Sequence, residues 1–153
     1  MPPGTYTLLV ELAEPATIEF GARGEHDLDA GWYAYTGSAF GPGGLSRVER
    51  HRDVAAGRND ARHWHVDYLL GHPDTRLAEA VTSEHADAEC TVARRIRAAT
   101  GVDGVGALGA SDCDCETHLA SASKRERLAA AVRAAHVANA DADGSDGQDD
   151  SSV

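Results

Sequence analysis

Three of the four tyrosines in the chain, Tyr6, Tyr33 and Tyr35, fall in two short apolar stretches, GTYTLLVEL (4–12) and GWYAYTGSA (31–39). A phenol with an ordinary pKa near 10 is a poor base at neutral pH unless a nearby cation lowers it. A cation lies a little further along. Arg47 and His51 stand four apart in a helical stretch, so they share a face. A fixed guanidinium beside a titratable imidazole suits the handling of a phosphate. The same pair also reads as an exposed basic helix face, and the tyrosines as sheet-face packing with their hydroxyls in water.

Two further clusters carry chemistry. In HWHVDYLL (63–70), His63 and Asp67 are four apart, a spacing that suits a hydrogen-bonded pair fixing one imidazole tautomer. Trp64 and Tyr68 share the same spacing and read as core rather than as a base-stacking platform; His65 has no assigned role. In CDCETH, Cys113, Cys115 and His118 are close enough to share a metal, and Cys90 would complete a Cys₃His set for tetrahedral Zn²⁺. The C-x-C spacing departs from the usual C-x₂-C, and the other reading is reduced thiols beside a core, with Ser111 and Asp112 shaping a turn. Three cysteines without an export signal argue against disulfides. His26, His72, His85 and His136 read as surface residues.

The elements that must position these groups follow from pattern. Tyr6, Leu8, Val10 and Leu12 alternate on one face of a strand over 5–12. ATIEF (16–20) is a second short strand, GEHDLDAG (24–31) a loop, and WYAYTGS (32–38) the aromatic strand. Gly-Pro-Gly-Gly (41–44) opens a helix that Gly57 closes; a short helix follows, capped by Asn59 or Asp60 and ended before Pro73. Residues 76–84 read as a strand and 87–101 as a helix. A glycine-rich loop follows, and then a final helix with a capping box at Ser123 and Glu126. The order predicts an α+β fold: a small, mainly antiparallel sheet flanked by helices.

Length predicts one domain, residues 1–137. Residues 138–153, ANADADGSDGQDDSSV, hold five aspartates and few apolar side chains, and are expected to form an acidic disordered tail. The formal charge is −11, and the bases are thirteen Arg against one Lys, a balance that suggests adaptation to high salt. In molar salt the Debye length is about 3 Å, so an acidic surface excludes a polyanionic partner less than it would in dilute buffer. Residues 1–12 lack the basic start and apolar run of a signal peptide, and no stretch has the roughly twenty apolar residues of a membrane span. The expected location is cytoplasmic, with no membrane partner.

The tripeptides GTY (4–6) and YTG (35–37) resemble the two signature tripeptides of the GIY-YIG nuclease superfamily. The blocks GTYTLL, GWYAYTGSA, RVERH, HWHVDYLL, ECTVA and SDCDCETHL, in order from Gly4 to about Leu119, resemble its Uri-type endonuclease branch. The resemblance implies a GIY-YIG-like nuclease fold and a metal-dependent endonuclease for DNA. Glu89 would hold Mg²⁺ or Mn²⁺, Arg47 would meet the scissile phosphate, and Tyr6 would orient or deprotonate the water with help from Tyr35 or His51. Relatives of that branch occur alone or fused to base-excision enzymes, which implies structured or damaged DNA as substrate and a repair protein as partner. The chain departs from the superfamily pattern in having Thr5 and Thr36 at the middle of both tripeptides, an inserted strand over 16–20, and Leu108 where many relatives carry an aromatic residue.

Two other classes fit the same residues. One is a non-catalytic module for nucleic acid, protein or zinc that keeps the nuclease scaffold. The other is a thiol or zinc regulatory domain in which Cys113 and Cys115 are primary. Retention of Tyr6, Tyr35, Arg47, His51 and a glutamate favours the nuclease. No separate DNA-reading domain is visible, so high sequence specificity is not expected from this chain alone.

Overall fold

The structure, a computed structural model, describes residues 1–20, 24–60, 65–105 and 117–148, with side chains through 138 apart from that of His65. Strand β1 (Gly4–Leu12) lies between β4 (Gly31–Ala39) and β5 (Thr75–Glu84), antiparallel to both. Strand β7 (Leu119–Ala122) extends the sheet beyond β4, and the two-residue β6 (Asp103–Gly104) closes that edge, giving the order β5-β1-β4-β7-β6. The sheet is entirely antiparallel, and helices cover both faces.

Period-two alternation sends Tyr6, Leu8, Val10 and Leu12 into one layer, as the pattern predicts. There they meet Leu45, Val48 and Val54 of the segment through α1 (Arg47–Ala55), and Val66, Leu69 and Leu70 of α2 (His65–Leu70). Leu9 and Ala34 point the other way, against Val92 and Ile96 of α3 (Glu89–Ala98) and Leu128 and Val132 of α4 (Arg125–Gln148). Because β1 is covered on both faces, its "polar" positions are also buried; Thr5 and Thr7 are fully enclosed. A register shift between Leu9 and Val10 leaves Ala78 of β5 as the extra residue. It lets Leu77 and Ala80, an odd number apart, both face the first layer.

The structure corrects three element assignments. The segment 24–31 is not simply a loop: β3 (Glu25–Leu28) pairs with β2 (Ala16–Glu19), burying Ile18 and Leu28 against the first layer. The run after α3 contains β6 and β7, which the glycines and the short LASA stretch hid from a pattern search. Helix α4 continues to Gln148, so the first eleven residues of the stretch 138–153, expected to be disordered, are helical. Residues 149–153 of the expected tail lie outside the described residues. No described helix is long and apolar enough to cross a membrane.

Candidate active site

The two tripeptides meet across the central strand pair. Tyr6 of β1 is directly opposite Gly37 of β4. A Cβ on Gly37 would stand 2.5 Å from the Tyr6 hydroxyl and 2.6 Å from Cζ, so the ring crosses bare backbone that any other residue would fill. A Cβ on Gly4 would collide with the Ser83 carbonyl of β5. Each glycine therefore permits a close approach, one of a ring and one of a neighbouring strand.

The central threonines bind the second helical layer. Thr5 Oγ1 donates to Ala86 O at 2.7 Å and accepts from Ala88 N–H at 3.1 Å, which fixes the start of α3 and its first residue, Glu89, beside β1. Thr36 N–H donates to His118 O at 3.0 Å and holds His118 against β4. The Thr36 hydroxyl meets that of Thr7 at 3.0 Å; Thr7 then reaches His136 Nε2 at 2.9 Å, and His136 Nδ1 lies 2.7 Å from Ser83 Oγ. His136 is therefore not a surface residue; it is buried at the centre of a hydroxyl chain under α4.

From the other layer come Arg47 and His51. Arg47, the first residue of α1, donates from Nη1 to Ser38 O at 2.5 Å. One turn on, His51 is fully buried, with Nε2 2.8 Å from the Tyr6 hydroxyl. Its Nδ1 faces Asp67 Oδ1 of α2 at 3.5 Å, and Asp67 Oδ2 lies 3.9 Å from Arg50 Nη2. Sequence spacing pairs Asp67 with His63; His63 and Trp64 lie outside the described residues, and among the described residues Asp67 faces the imidazole of His51. An aspartate inside the otherwise apolar VDYLL was the available signal, because a carboxylate on a buried helix face requires a polar partner. Tyr68 is partly buried against the first-layer core.

Tyr35 joins Tyr6 on the same face, while Tyr33, near the other end of β4, donates to Asp29 O at 2.6 Å and holds a turn. Burial pushes the Tyr33 phenol up to about 12. Tyr6 and Tyr35 are driven higher still, above the normal phenol range, mainly because burial disfavours the phenolate. The Arg47 guanidinium opposes this in both; on Tyr6 it acts as a charge and as a hydrogen-bond donor. The carboxylates of Glu89 and Asp67 work with burial. The expectation that Arg47 would make Tyr6 an acidic phenol is thus reversed: desolvation outweighs the cation.

Glu89 completes the group. Its carboxylate, about one-fifth exposed, has Oε2 3.1 Å from Nδ1 of the buried His118. His118 Nε2 in turn lies 3.6 Å from Cys90 Sγ. Cys90 is disulfide-bonded, contrary to the argument from cysteine count and export signal. Cys113 and Cys115 lie outside the described residues. A disulfide sulfur is not a thiolate ligand, so Cys90 in this state does not fit a Cys90–Cys113–Cys115–His118 zinc set. Among the described residues, no group of three or more His, Cys, Asp or Glu is arranged to hold a metal ion. A single accessible carboxylate next to two phenols and an arginine does suit a hard cation that keeps most of its waters, the usual preference of Mg²⁺.

Tyr6, Tyr35, Arg47, His51 and Glu89 thus come from β1, β4, both ends of one helical turn of α1, and the start of α3. Neither a curated protein nor a solved structure matches the chain. A family model does, over residues 5–140, from the first strand into the last helix, and the chain belongs to that family, described as Domain of unknown function DUF123.

Proposed function

We propose that the protein is a divalent-metal-dependent endonuclease of the GIY-YIG superfamily, Uri-type branch, cleaving phosphodiester bonds in structured or damaged DNA, with repair as its setting. One observation carries the reading: two phenols, an imidazole, a guanidinium and an accessible carboxylate converge from four separate elements, with the Tyr6 hydroxyl 2.8 Å from His51 Nε2. Hydrolysis of a phosphodiester needs a proton acceptor for the attacking water and positive charge for the phosphorane oxygens. Tyr6 alone is a poor acceptor, because burial holds its proton. It can act as a relay: the water proton passes to the Tyr6 oxygen as the phenolic proton passes to His51 Nε2. Arg47 supplies a fork for two phosphate oxygens. Tyr35, on the same sheet face as Tyr6, donates to the phosphate. Glu89 would hold Mg²⁺ or Mn²⁺, oriented by His118; the bound ion supplies charge stabilisation for the phosphate and the leaving oxygen.

The test is single-turnover cleavage of a panel of branched, flapped and abasic DNAs with Mg²⁺ or Mn²⁺ in molar salt. Wild type should cleave at least one, and Glu89→Gln should abolish cleavage with folding intact. Binding without cleavage by wild type under every metal condition would favour a non-catalytic nucleic-acid module instead.

A further inference from the structure

A buried histidine that takes a proton from a phenol must present a bare nitrogen to it, and something must hold the ring in that tautomer. Among the described residues, two polar groups of different chemistry face the His51 ring. On one side Tyr6 OH is 2.8 Å from Nε2; on the other Asp67 Oδ1 is 3.5 Å from Nδ1. An ionised carboxylate only accepts hydrogen bonds. A bare Nδ1 facing it would set lone pair against lone pair in a site with no room for bulk water; His51 and Asp67 are both fully buried. The proton of a neutral His51 therefore belongs on Nδ1, leaving Nε2 to accept from Tyr6.

We infer that Asp67 is a positioning residue: it holds His51 in the Nδ1–H tautomer so that Nε2 is the acceptor for the Tyr6 proton. The inference rests on the nuclease reading for its consequence, but not for its geometry. The contact at 3.5 Å is longer than a formed N–H···O bond, which has a usual range of about 2.7–3.2 Å. A shift of about 0.5 Å would form it, and such contacts in unliganded sites often tighten in the reacting complex. Asp67 is itself held: it sits on α2 between buried Val66 and Leu69, and Arg50, one residue before His51 on α1, faces its second oxygen at 3.9 Å. The carboxylate thus has a cation beside it and an imidazole N–H before it, so it can steady the positive charge that His51 gains once the proton arrives. The proton count closes within the relay: the water loses one proton to the Tyr6 oxygen, Tyr6 passes its own to His51 Nε2, and His51 becomes an imidazolium beside the Asp67 carboxylate. The same three-part logic of acceptor, imidazole and orienting carboxylate operates in serine hydrolases, where replacing the carboxylate by its amide yields the wrong tautomer. Here the group that gives up its proton is a phenol, and α1 and α2 supply the other two members.

The experiment reads the tautomer directly. Nitrogen-15 NMR of histidine-labelled full-length protein near pH 8 distinguishes Nδ1–H, Nε2–H and imidazolium from their ring-nitrogen shifts. His51 is assigned by loss of its signals in His51→Gln. The expected wild-type result is neutral His51 with Nδ1–H; an Nε2–H ring or an imidazolium would overturn the assignment, whatever the protein cleaves. In Asp67→Asn the amide can donate to Nδ1, so the Nε2–H form should become dominant. Single-turnover cleavage should fall at least about 100-fold while the apparent DNA affinity stays within about threefold. Asp67→Asn with Nδ1–H and wild-type cleavage would also end the proposal, as would a rate loss with the tautomer unchanged, which marks a merely structural role. Should Asp67→Asn fail to fold, the wild-type spectrum decides. A wild type that cleaves no DNA would sink the nuclease reading and leave the tautomer to the nitrogen shifts.

Discussion

Tyr6, Arg47 and Glu89 separate by what each loses on substitution. Tyr6→Phe removes one buried oxygen bonded to His51, which should cost about 1 kcal/mol of stability and lower single-turnover cleavage at least tenfold, about 1.4 kcal/mol of barrier. Arg47→Ala should lower turnover much more than binding, because its target charge develops in the transition state; one such donor is typically worth about 3 kcal/mol. Arg47→Lys keeps the charge but loses the fork, and the bond from Arg47 to Ser38 O is part of what sets that fork's direction. It should therefore recover only part of the rate. If Glu89→Gln is inactive while Tyr6→Phe and Arg47→Ala run at wild-type rates, the metal site is real and the relay is not. A different residue-scale test concerns sulfur. With Cys90 in a disulfide, protein denatured without reductant should titrate one thiol per chain of its three cysteines, and three after reduction. Three thiols without reductant, together with stoichiometric zinc, would instead establish the metal-ligand reading.

At the scale of elements, the tripeptide glycine makes a prediction independent of any activity. Gly37→Ala places a methyl against the Tyr6 ring inside a packed layer, and overpacking of this kind costs about 1–3 kcal/mol. Thermal unfolding should shift down by several degrees, and the Tyr6–His51 bond should be disrupted with it; an unchanged midpoint would mean that the ring moves freely. The docking of α4 offers a pH test. Burial lowers the His136 pKa to about 4, against an unfolded value near 6.5. As pH falls through 6.5 the unfolded chain takes up a proton that the folded chain refuses until about 4. The stabilisation is therefore whole above 6.5 and is lost progressively between 6.5 and 4, about 2 kcal/mol after allowance for partial water access. The urea midpoint should fall across that window in wild type and fall less in His136→Gln; parallel curves would contradict the assignment. These elements also mark how far pattern could reach. The face of β1 was legible, because Tyr6, Leu8, Val10 and Leu12 alternate without interruption. So was the pairing of Arg47 with His51, since helical spacing alone decides it. Burial of Thr5, Thr36 and His136 was not, because a strand covered on both faces hides its second layer behind residues that alternation scores as polar. Nor could spacing reveal the contact between His51 and Asp67: the i+4 rule sees one helix, and this contact joins two.

For the whole molecule the governing quantity is charge. A chain of net charge −11 must approach a polyanion if it is a nuclease, and among the described residues Arg47 places positive charge beside Tyr6 in the proposed site. Five of the acidic charges fall after Ala140, where the family match ends: Asp141, Asp143, Asp146, Asp149 and Asp150. Removing residues 141–153 changes the formal charge from −11 to −11 + 5 = −6 and leaves every proposed site residue in place. At about 50 mM salt the Debye length exceeds 10 Å, so those five charges repel DNA from a distance; in molar salt it is about 3 Å and they act only at contact. The truncated chain should therefore bind a labelled branched DNA several-fold more tightly than the full chain at low salt, mainly through faster association. The two affinities should converge as salt rises toward molar. Fluorescence anisotropy across a salt series, with metal replaced by Ca²⁺ to prevent cleavage, makes the comparison, and thermal unfolding of both chains at high salt checks that the fold is unchanged. Convergence requires only screening, so it separates a charge effect from a contact effect. A difference that persists undiminished at molar salt would mean that residues 141–153 touch the DNA or the fold rather than acting through their field.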